Sequence, residues 1–271
     1  MAITIACIQP QVHSNRKECY SEIKSLISQV LNNSQECDIF CLPERWVPLS
    51  KDISRSIQQE RGEDYKFIKS IAKDFGINII SGAIWEKRNH KMRITSYLFS
   101  EDGEELGRQD KIHLYAYEKE FFEPSTELNI FKTKAFTFSI LICFDMAFFE
   151  TPRLAVENGA EILFSPTQIR EEGMENWEIY LKARALENRV PLAACNTLGS
   201  FFNRTFIGKS KIITFKSGFI SPSKLKIYEA PGNESGYVVK TIDLEFPKKL
   251  REIRLEEKID KNEIKVQIID I

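Results

Sequence analysis

The stretch from Phe138 to Glu150 constrains the fold most strongly, because its pattern predicts a buried strand that stops abruptly and a helix that begins a few residues later. Apart from Ser139, residues 138–142 are apolar and β-favouring, which is typical of a strand buried on both faces. The helix is predicted to begin near residue 150, since Pro152 suits a first turn and Glu150 puts negative charge near the positive end of the helix. Cys143 is therefore expected at the carboxyl end of a buried strand, where open α/β folds place reactive groups.

A thiol in that position can be a nucleophile, because nearby backbone N–H groups stabilise both a thiolate and the oxyanion it creates. The alternative is a small core residue, since free cysteines are commonly buried. The sequence holds five other cysteines: Cys7, Cys19, Cys37, Cys41 and Cys195. They are scattered and form no Cys-x-x-Cys pair, which indicates reduced thiols of a cytoplasmic protein rather than disulfides or a zinc site.

Composition argues against two classes of partner. The 271 residues are 28% charged and have a formal net charge of -1, so nothing favours binding to nucleic acid or to a membrane surface. No apolar run approaches the length of a membrane span, and the N-terminus is predicted to be a first strand rather than a signal peptide.

Strands and helices are predicted to alternate along the chain. Helices are expected at 14–32, 62–75, 150–158, 175–189 and from about residue 243. Strands are expected at 3–10, 38–42, 77–85, 93–100, 106–114, 128–133, 136–143, 161–167, 191–197, 204–215 and 237–243, with a terminal strand at 264–269. A hairpin turn is predicted at Asp102 and Gly103, and residues 220–235 are interpreted as a surface loop. The pattern favours one α/β domain over residues 1–271, in which sheets pack on one another with helices outside.

Three predicted strands have polar residues where apolar ones would be expected. Glu44 follows the strand at 38–42, Lys111 lies within the strand at 106–114, and Cys143 ends the strand at 136–143. Each residue also has an ordinary interpretation without a catalytic role, since most glutamates and lysines are solvated and free cysteines are commonly buried. Only the combination indicates a catalytic site.

That combination resembles the nitrilase superfamily of carbon–nitrogen hydrolases, which use a Glu, a Lys and a Cys. Residues 42–44 (Leu-Pro-Glu) look like the glutamate motif of that family, 111–114 (Lys-Ile-His-Leu) like its lysine motif, and 142–145 (Ile-Cys-Phe-Asp) like its nucleophile motif. The segment 118–124 is similar to the one holding a second glutamate, which we place at Glu118, with Glu120 as the alternative. The resemblance covers residues 3 to about 253, so that the residues from about 254 form an extension.

The resemblance implies a four-layer α/β/β/α sandwich that forms a homodimer or a larger homo-oligomer, and a hydrolase that needs neither a metal nor a cofactor. Cys143 would be the nucleophile and Glu44 the base that takes its proton. Lys111 and the backbone N–H of Phe144 would stabilise the oxyanion. Glu118 would orient the substrate or the Lys111 ammonium.

The expected reaction is hydrolysis of a small carboxamide through a cysteine thioester, with release of ammonia or an amine. N-carbamoyl hydrolysis is the first alternative. Nitrile hydrolysis is less expected, because true nitrilases usually have Trp-Glu after the cysteine where this chain has Phe144 and Asp145. Acyl transfer from the thioester and a non-catalytic binding subunit are the remaining alternatives.

Pocket walls are predicted from the residues that follow the same strand ends, namely Phe144, Trp46, Phe149 and Thr167. Arg45 is a candidate for binding a free carboxylate on the substrate. Specificity is expected to lie in the loops 45–60, 115–127 and 168–176. Asp145 and His113 are interpreted as structural.

Overall fold

The protein is described by a computed structural model for residues 1–33 and 36–269. Its α-helices are α1 Arg16–Asn33, α2 Glu63–Phe75, α3 Glu150–Glu157, α4 Met174–Asn188 and α5 Glu245–Glu256. Its strands are β1 Ala2–Gln9, β2 Ile39–Cys41, β3 Gln58–Gln59, β4 Ile79–Ile80, β5 Ile84–Arg88, β6 Lys91–Phe99, β7 Glu105–Asp110, β8 Ile130–Lys132, β9 Thr137–Ile140, β10 Ile162–Thr167, β11 Leu192–Asn196, β12 Leu198–Phe201, β13 Arg204–Ile207, β14 Lys211–Phe215, β15 Leu225–Glu229 and β16 Gly236–Asp243.

These strands form two large sheets and one hairpin. The first sheet has the order β16-β1-β2-β4-β6-β5-β3, with β7 also paired to β6. The second has the order β15-β14-β11-β10-β9-β8, and β12 pairs with β13 alone. Within each large sheet the central strands run parallel: β1, β2 and β4 in the first, and β9, β10 and β11 in the second. Their carboxyl ends therefore meet at one edge of each sheet.

The side chains of β1 show how the layers pack. Ile3, Ile5 and Cys7 lie in the core between the two sheets, whereas Ala6 and Ile8 lie in a second core beneath α1 and α2. This follows from the period of two in a strand, which sends alternate side chains to opposite faces. A third core lies between the second sheet and the helices α3 and α4. The predicted four-layer α/β/β/α sandwich is confirmed.

Several predicted boundaries were wrong. The strand predicted at 77–85 is interrupted at Gly82, whose φ is +73°, and the strand at 204–215 is interrupted at Gly208, whose φ is +70°. A left-handed backbone cannot continue a β-ladder, so each glycine divides its strand. The hairpin turn at 102–103 is confirmed, because β6 and β7 pair antiparallel on either side of it.

Two other predictions fail for reasons of tertiary pairing. The segment interpreted as a loop at 220–235 contains β15, which pairs with β14 at the edge of the second sheet. The predicted terminal strand at 264–269 is wrong, because these residues belong to neither a strand nor a helix. Their apolar side chains are exposed there, and a strand requires a hydrogen-bonded neighbour.

Within residues 1–33 and 36–269, no helix has both the length and the apolar character needed to cross a bilayer.

Candidate active site

The segments that follow β2 and β7 bring a lysine and two glutamates into direct contact. Lys111 Nζ donates hydrogen bonds to Glu44 Oε1 at 2.7 Å and to Glu118 Oε1 at 2.9 Å. The three side chains are almost completely buried. A buried ammonium between two carboxylates is satisfied on both sides, which offsets the free-energy cost of removing it from water.

The turn after β2 holds Glu44 between the two large sheets. The N–H of Glu44 donates to the carbonyl of Thr167 in the second sheet at 3.2 Å, and the carbonyl of Glu44 accepts from the N–H of Ala83, between β4 and β5 of the first sheet, at 3.3 Å. Gly82 permits this close approach, since a Cβ there would lie 2.1 Å from the carbonyl oxygen of Pro43. The backbone of Glu44 is therefore anchored in both halves of the sandwich.

Lys111 lies directly after β7, one residue beyond the end of the strand, rather than inside it as predicted. Its N–H donates to the carbonyl of Ile94 at 2.8 Å, and its own carbonyl accepts from the N–H of Ser125 at 2.9 Å. The backbone of Ser125 therefore holds the turn that contains Lys111.

Cys143 begins a 3-10 turn, Cys143–Ala147, and has a positive φ of 47°. This left-handed conformation is costly for a residue with a Cβ and persists only where the surroundings impose it. Asp145 supplies part of that constraint by accepting a hydrogen bond from the N–H of Ile142 at 2.9 Å. Arg184 of α4 supplies more, because its guanidinium donates to the carbonyls of Met146 at 3.1 Å and Ala147 at 2.9 Å.

Glu118 is held by its own short 3-10 turn, Ala116–Glu120. Its second carboxylate oxygen, Oε2, accepts from the N–H of Tyr115 at 2.7 Å. Of the two glutamates considered from the sequence, Glu118 contacts Lys111, whereas Glu120 is exposed.

Burial and the neighbouring charges perturb the pKa values of these groups. Burial alone would lower the pKa of the Lys111 ammonium, but the carboxylates of Glu44 and Glu118 raise it well above its ordinary value. Burial raises the pKa of the Cys143 thiol, and the charge of Glu44 raises it further. Burial also raises the pKa of Glu118, against the opposing effect of Lys111. At neutral pH the lysine is therefore charged, and Cys143 is a thiol that needs a base to become a nucleophile.

Lys111, Glu44, Glu118 and Cys143 lie at a cavity of about 250 Å³. The remainder of its wall comes from the cysteine turn, from the segments 115–117 and 168–180, and from the β12–β13 hairpin. These residues are Tyr115, Tyr117, Phe144, Met146, Ala147, Gln168, Ile169, Arg170, Gly173, Asn176, Trp177, Tyr180, Arg204 and Phe206. The cavity therefore combines a charged inner cluster with a mostly aromatic and polar wall.

Of the four predicted wall residues, Phe144 lines the cavity, and the positions of the other three require correction. Trp46 is buried beside α1 and α2, and its indole N–H donates to the carbonyl of Ser81 at 2.8 Å. Phe149 is 59% exposed at the outer surface near α3. Thr167 is buried, with its hydroxyl donating to the carbonyl of Cys195 at 3.1 Å. Trp46 and Phe149 follow the expected strands and Thr167 is the last residue of β10, but none of the three side chains lines the cavity.

Arg45 also lies away from the cavity wall, contrary to its suggested role in binding a carboxylate. Its guanidinium is buried and stacks over Trp85, 4.1 Å from the ring centroid. Of the loops expected to set specificity, 115–127 and 168–176 contribute to the wall, whereas 45–60 contributes no residue to it.

The contribution of the β12–β13 hairpin to the cavity wall was not predicted from the sequence. Its two strands pair only with each other, and Arg204 and Phe206 of β13 line the cavity. The turn residues Phe202 and Asn203 both have positive φ, which is the geometry of a two-residue hairpin turn. Asparagine is favoured in such turns, so Asn203 was the sequence signal from which this hairpin could have been predicted.

No group of three or more His, Cys, Asp and Glu side chains in residues 1–33 and 36–269 has an arrangement that could hold a metal ion.

Comparison with known proteins gives a consistent result. The family model for carbon-nitrogen hydrolases matches residues 4–249. The chain is 28% identical to the 2-oxoglutaramate amidase of Bacillus subtilis over 257 residues, covering 93% of this chain and 95% of that protein. It is 30% identical to the N-carbamoylputrescine amidase of Arabidopsis thaliana, covering 68% of this chain and 66% of that protein. A carbon-nitrogen hydrolase from Helicobacter pylori has the same fold, with a TM-score of 0.85 over 97% of both chains at 21% identity.

Proposed function

The chain belongs to the carbon–nitrogen hydrolase family, and from this premise we propose that it is a cysteine-dependent amidase acting on a small carboxamide. The observation that carries the proposal is the Lys111 ammonium, which bridges two buried carboxylates beside the Cys143 thiol. An amide carbonyl is a poor electrophile, and its nitrogen is a poor leaving group. Hydrolysis therefore needs a nucleophile, a proton carrier and oxyanion stabilisation in one place.

In the first half-reaction, Glu44 takes the proton of the Cys143 thiol as the sulfur attacks the amide carbonyl carbon. The carbonyl oxygen becomes an oxyanion, stabilised by the Lys111 ammonium and the backbone N–H of Phe144. The first N–H groups of a helical turn have no acceptor within it, so they are available to a ligand. The carbon–nitrogen bond then breaks as Glu44 gives its proton to the nitrogen, which leaves as ammonia or an amine.

In the second half-reaction, Glu44 removes a proton from water, whose oxygen attacks the carbonyl carbon of the Cys143 thioester. The same two groups stabilise the second oxyanion. The carbon–sulfur bond breaks, the thiolate recovers its proton from Glu44, and the carboxylic acid product is released. Glu118 keeps the Lys111 ammonium in place throughout, since it holds that group from the other side.

The test is ammonia release from a panel of small amides, N-carbamoyl compounds and nitriles, with Cys143→Ala alongside. We expect turnover of primary amides and its complete loss in Cys143→Ala. Cys37→Ser is the matched control, because Cys37 lies outside the cavity wall, and it should retain full activity. Release that persists in Cys143→Ala would contradict the nucleophile assignment. Turnover confined to N-carbamoyl compounds or to nitriles would contradict the proposed amide substrate and would indicate an N-carbamoyl hydrolase or a nitrilase instead.

We also propose that the protein is a homodimer that associates through the outer face formed by α3 and α5. Three apolar side chains of this face are exposed: Phe149 by 59%, Leu154 by 50% and Leu255 by 46%. They surround a surface depression that also contains charges of both signs, including Arg153 and Glu157. A self-complementary surface of this kind suits a twofold interface.

Light scattering after size-exclusion chromatography tests the dimer. We expect twice the mass of one chain for the unmodified protein and the mass of one chain for Leu154→Glu. Leu106→Glu is the control, since Leu106 is similarly exposed, by 53%, but lies in β7, away from this face. A dimer that survives Leu154→Glu unchanged would place the interface elsewhere.

A further inference from the structure

The charges of the cavity are divided between its inner end and the rest of its wall. At the inner end, Lys111 is bonded to both Glu44 and Glu118. The other charged residues of the wall are Arg170 and Arg204. The carboxylates among the lining residues are thus already paired with the lysine, while the two remaining charges of the wall are cationic.

Arg170 is positioned by two neighbours. Its Nη2 donates to the hydroxyl of Tyr115 at 3.2 Å, and its Nη1 lies 3.1 Å from Glu172 Oε1. The Glu172 side chain is 64% exposed and that of Arg170 32% exposed, so this ion pair is weak and open to competition by an anion in the cavity. The Tyr115 hydroxyl accepts from Arg170 and keeps its own proton available for a further acceptor.

Arg204 comes from a different part of the fold, at the start of β13, where it pairs with Phe201 across the hairpin. Among the residues that the structure describes, Arg204 has no ion-pair partner within 4.0 Å. Its charge is therefore not neutralised by the protein. Two arginines from distant segments, residues 168–180 and the β12–β13 hairpin, reach the same cavity.

We propose that Arg170 and Arg204 select an amide whose other end bears an anionic group, such as the monoamide of a dicarboxylic acid. The inference rests on the proposed amidase function and specifies its substrate class. The amide would lie at Cys143 and the anionic group at the arginines, which recognise carboxylates through several N–H donors each. A cationic amide or N-carbamoyl amine would meet like charges there and would be disfavoured.

The test compares three amides of equal chain length: succinamate, which is anionic, butanamide, which is neutral, and 4-aminobutanamide, which is cationic. We expect kcat/KM to fall in that order, by about tenfold or more at each step. In the double variant Arg170→Gln/Arg204→Gln, kcat/KM for succinamate should fall about 10- to 100-fold, mainly through KM. The kcat/KM for butanamide should change less than about twofold, because butanamide has no anionic group for the arginines to bind. Arg55→Gln is the control, since Arg55 is outside the wall and 79% exposed.

Equal hydrolysis of succinamate and butanamide, or an equal loss of both in the double variant, would overturn the inference while leaving the amidase function intact. Failure of the amidase function would instead abolish turnover of all three compounds. Calorimetric binding of succinamate and butanamide to Cys143→Ala keeps the two failures separate, because binding does not depend on turnover. We expect Cys143→Ala to bind succinamate more tightly than butanamide. This difference should disappear when Arg170→Gln and Arg204→Gln are added to Cys143→Ala. Equal binding of the two compounds to Cys143→Ala would refute the proposal.

Discussion

Asp145 Oδ1 accepts a hydrogen bond from the backbone N–H of His113 at 2.7 Å, which joins the turn of Cys143 to the segment after Lys111. The other oxygen of Asp145 accepts from the N–H of Ile142 at 2.9 Å. One buried carboxylate thus holds the backbone of both segments of the candidate site. These two hydrogen bonds give Asp145 a specific structural role, because they set the position of the Cys143 turn relative to the segment after Lys111.

Replacing Asp145 by Asn should loosen this connection. The amide can accept with only one of its two terminal atoms, so one buried N–H loses its partner, at a cost of about 1–3 kcal/mol in the free energy of unfolding. We expect kcat to fall by about tenfold to a hundredfold because the geometry of the site degrades. Urea unfolding and steady-state kinetics check both effects. Asp74→Asn, an exposed change on α2, should alter neither, and a stable, fully active Asp145→Asn protein would contradict this account.

The charge of Glu44 should control the ionisation of the thiol. Burial and the Glu44 charge raise the pKa of Cys143, so Glu44→Gln is expected to lower that pKa towards its ordinary value. Turnover should nevertheless fall by about 100-fold or more, because the proton carrier is lost.

The pH dependence of Cys143 alkylation by iodoacetamide, followed by mass spectrometry, measures this shift. Alkylation of the variant should accelerate at a lower pH than that of the unmodified protein. Glu120→Gln is the control, because Glu120 is exposed and should leave the profile unchanged. A profile that moves to higher pH in Glu44→Gln would show that the sign of the coupling is wrong.

Removing the Lys111 charge should lower the free energy of unfolding more than removing the charge of an exposed lysine does. Lys111→Met leaves two buried carboxylates without their cation, at a cost of about 3–5 kcal/mol in unfolding free energy. The stabilisation that Lys111 provides is fully present below the ordinary lysine pKa of about 10.4 and is lost as the pH rises through its raised folded value. The difference in stability between the unmodified protein and the variant should therefore shrink above about pH 10.

Denaturant unfolding as a function of pH checks this prediction. Lys119→Met is the matched control, since Lys119 is exposed in the same 3-10 turn as Glu118. A stability gap between Lys111→Met and Lys119→Met that is small at pH 7 would mean that the bridge contributes little.

Gly82 should be essential for the position of Glu44. Ala at this residue combines a positive φ with a Cβ that would lie 2.1 Å from the carbonyl oxygen of Pro43. Gly76, which ends α2, also has a positive φ, but a Cβ there would meet no atom within 4 Å. Gly76→Ala is therefore expected to cost about 1–2 kcal/mol through backbone strain alone.

Gly82→Ala should cost clearly more than Gly76→Ala and should also reduce kcat, because the turn holding Glu44 must shift. Thermal unfolding of the two variants measures the cost of backbone strain at each glycine. Their kinetics show whether the turn that holds Glu44 has been displaced. Equal stability losses with unchanged activity would indicate that the Pro43 turn can move without affecting the site.

Most of the fold could be predicted from the sequence, because hydrophobic periodicity records burial within each segment. Strand breaks at Gly82 and Gly208 were missed, since a lone glycine does not reveal its own φ. The strand β15 was missed because an edge strand is stabilised by its neighbour rather than by its own apolar pattern. The single-domain organisation over residues 1–271 stays a prediction.

For the site, the sequence by itself predicted the residues to which we assign the chemistry: Glu44 after one predicted strand, Lys111 within another and Cys143 at the end of a third. Tertiary structure alone decided what surrounds them. It directed Trp46 and Thr167 away from the cavity and brought Arg170 and Arg204 into it. The polar residues at strand ends can be predicted from the sequence, because strand burial and turn propensity depend on patterns only a few residues long. The cavity wall depends on which distant loops meet, and that is set by the pairing and packing of whole sheets.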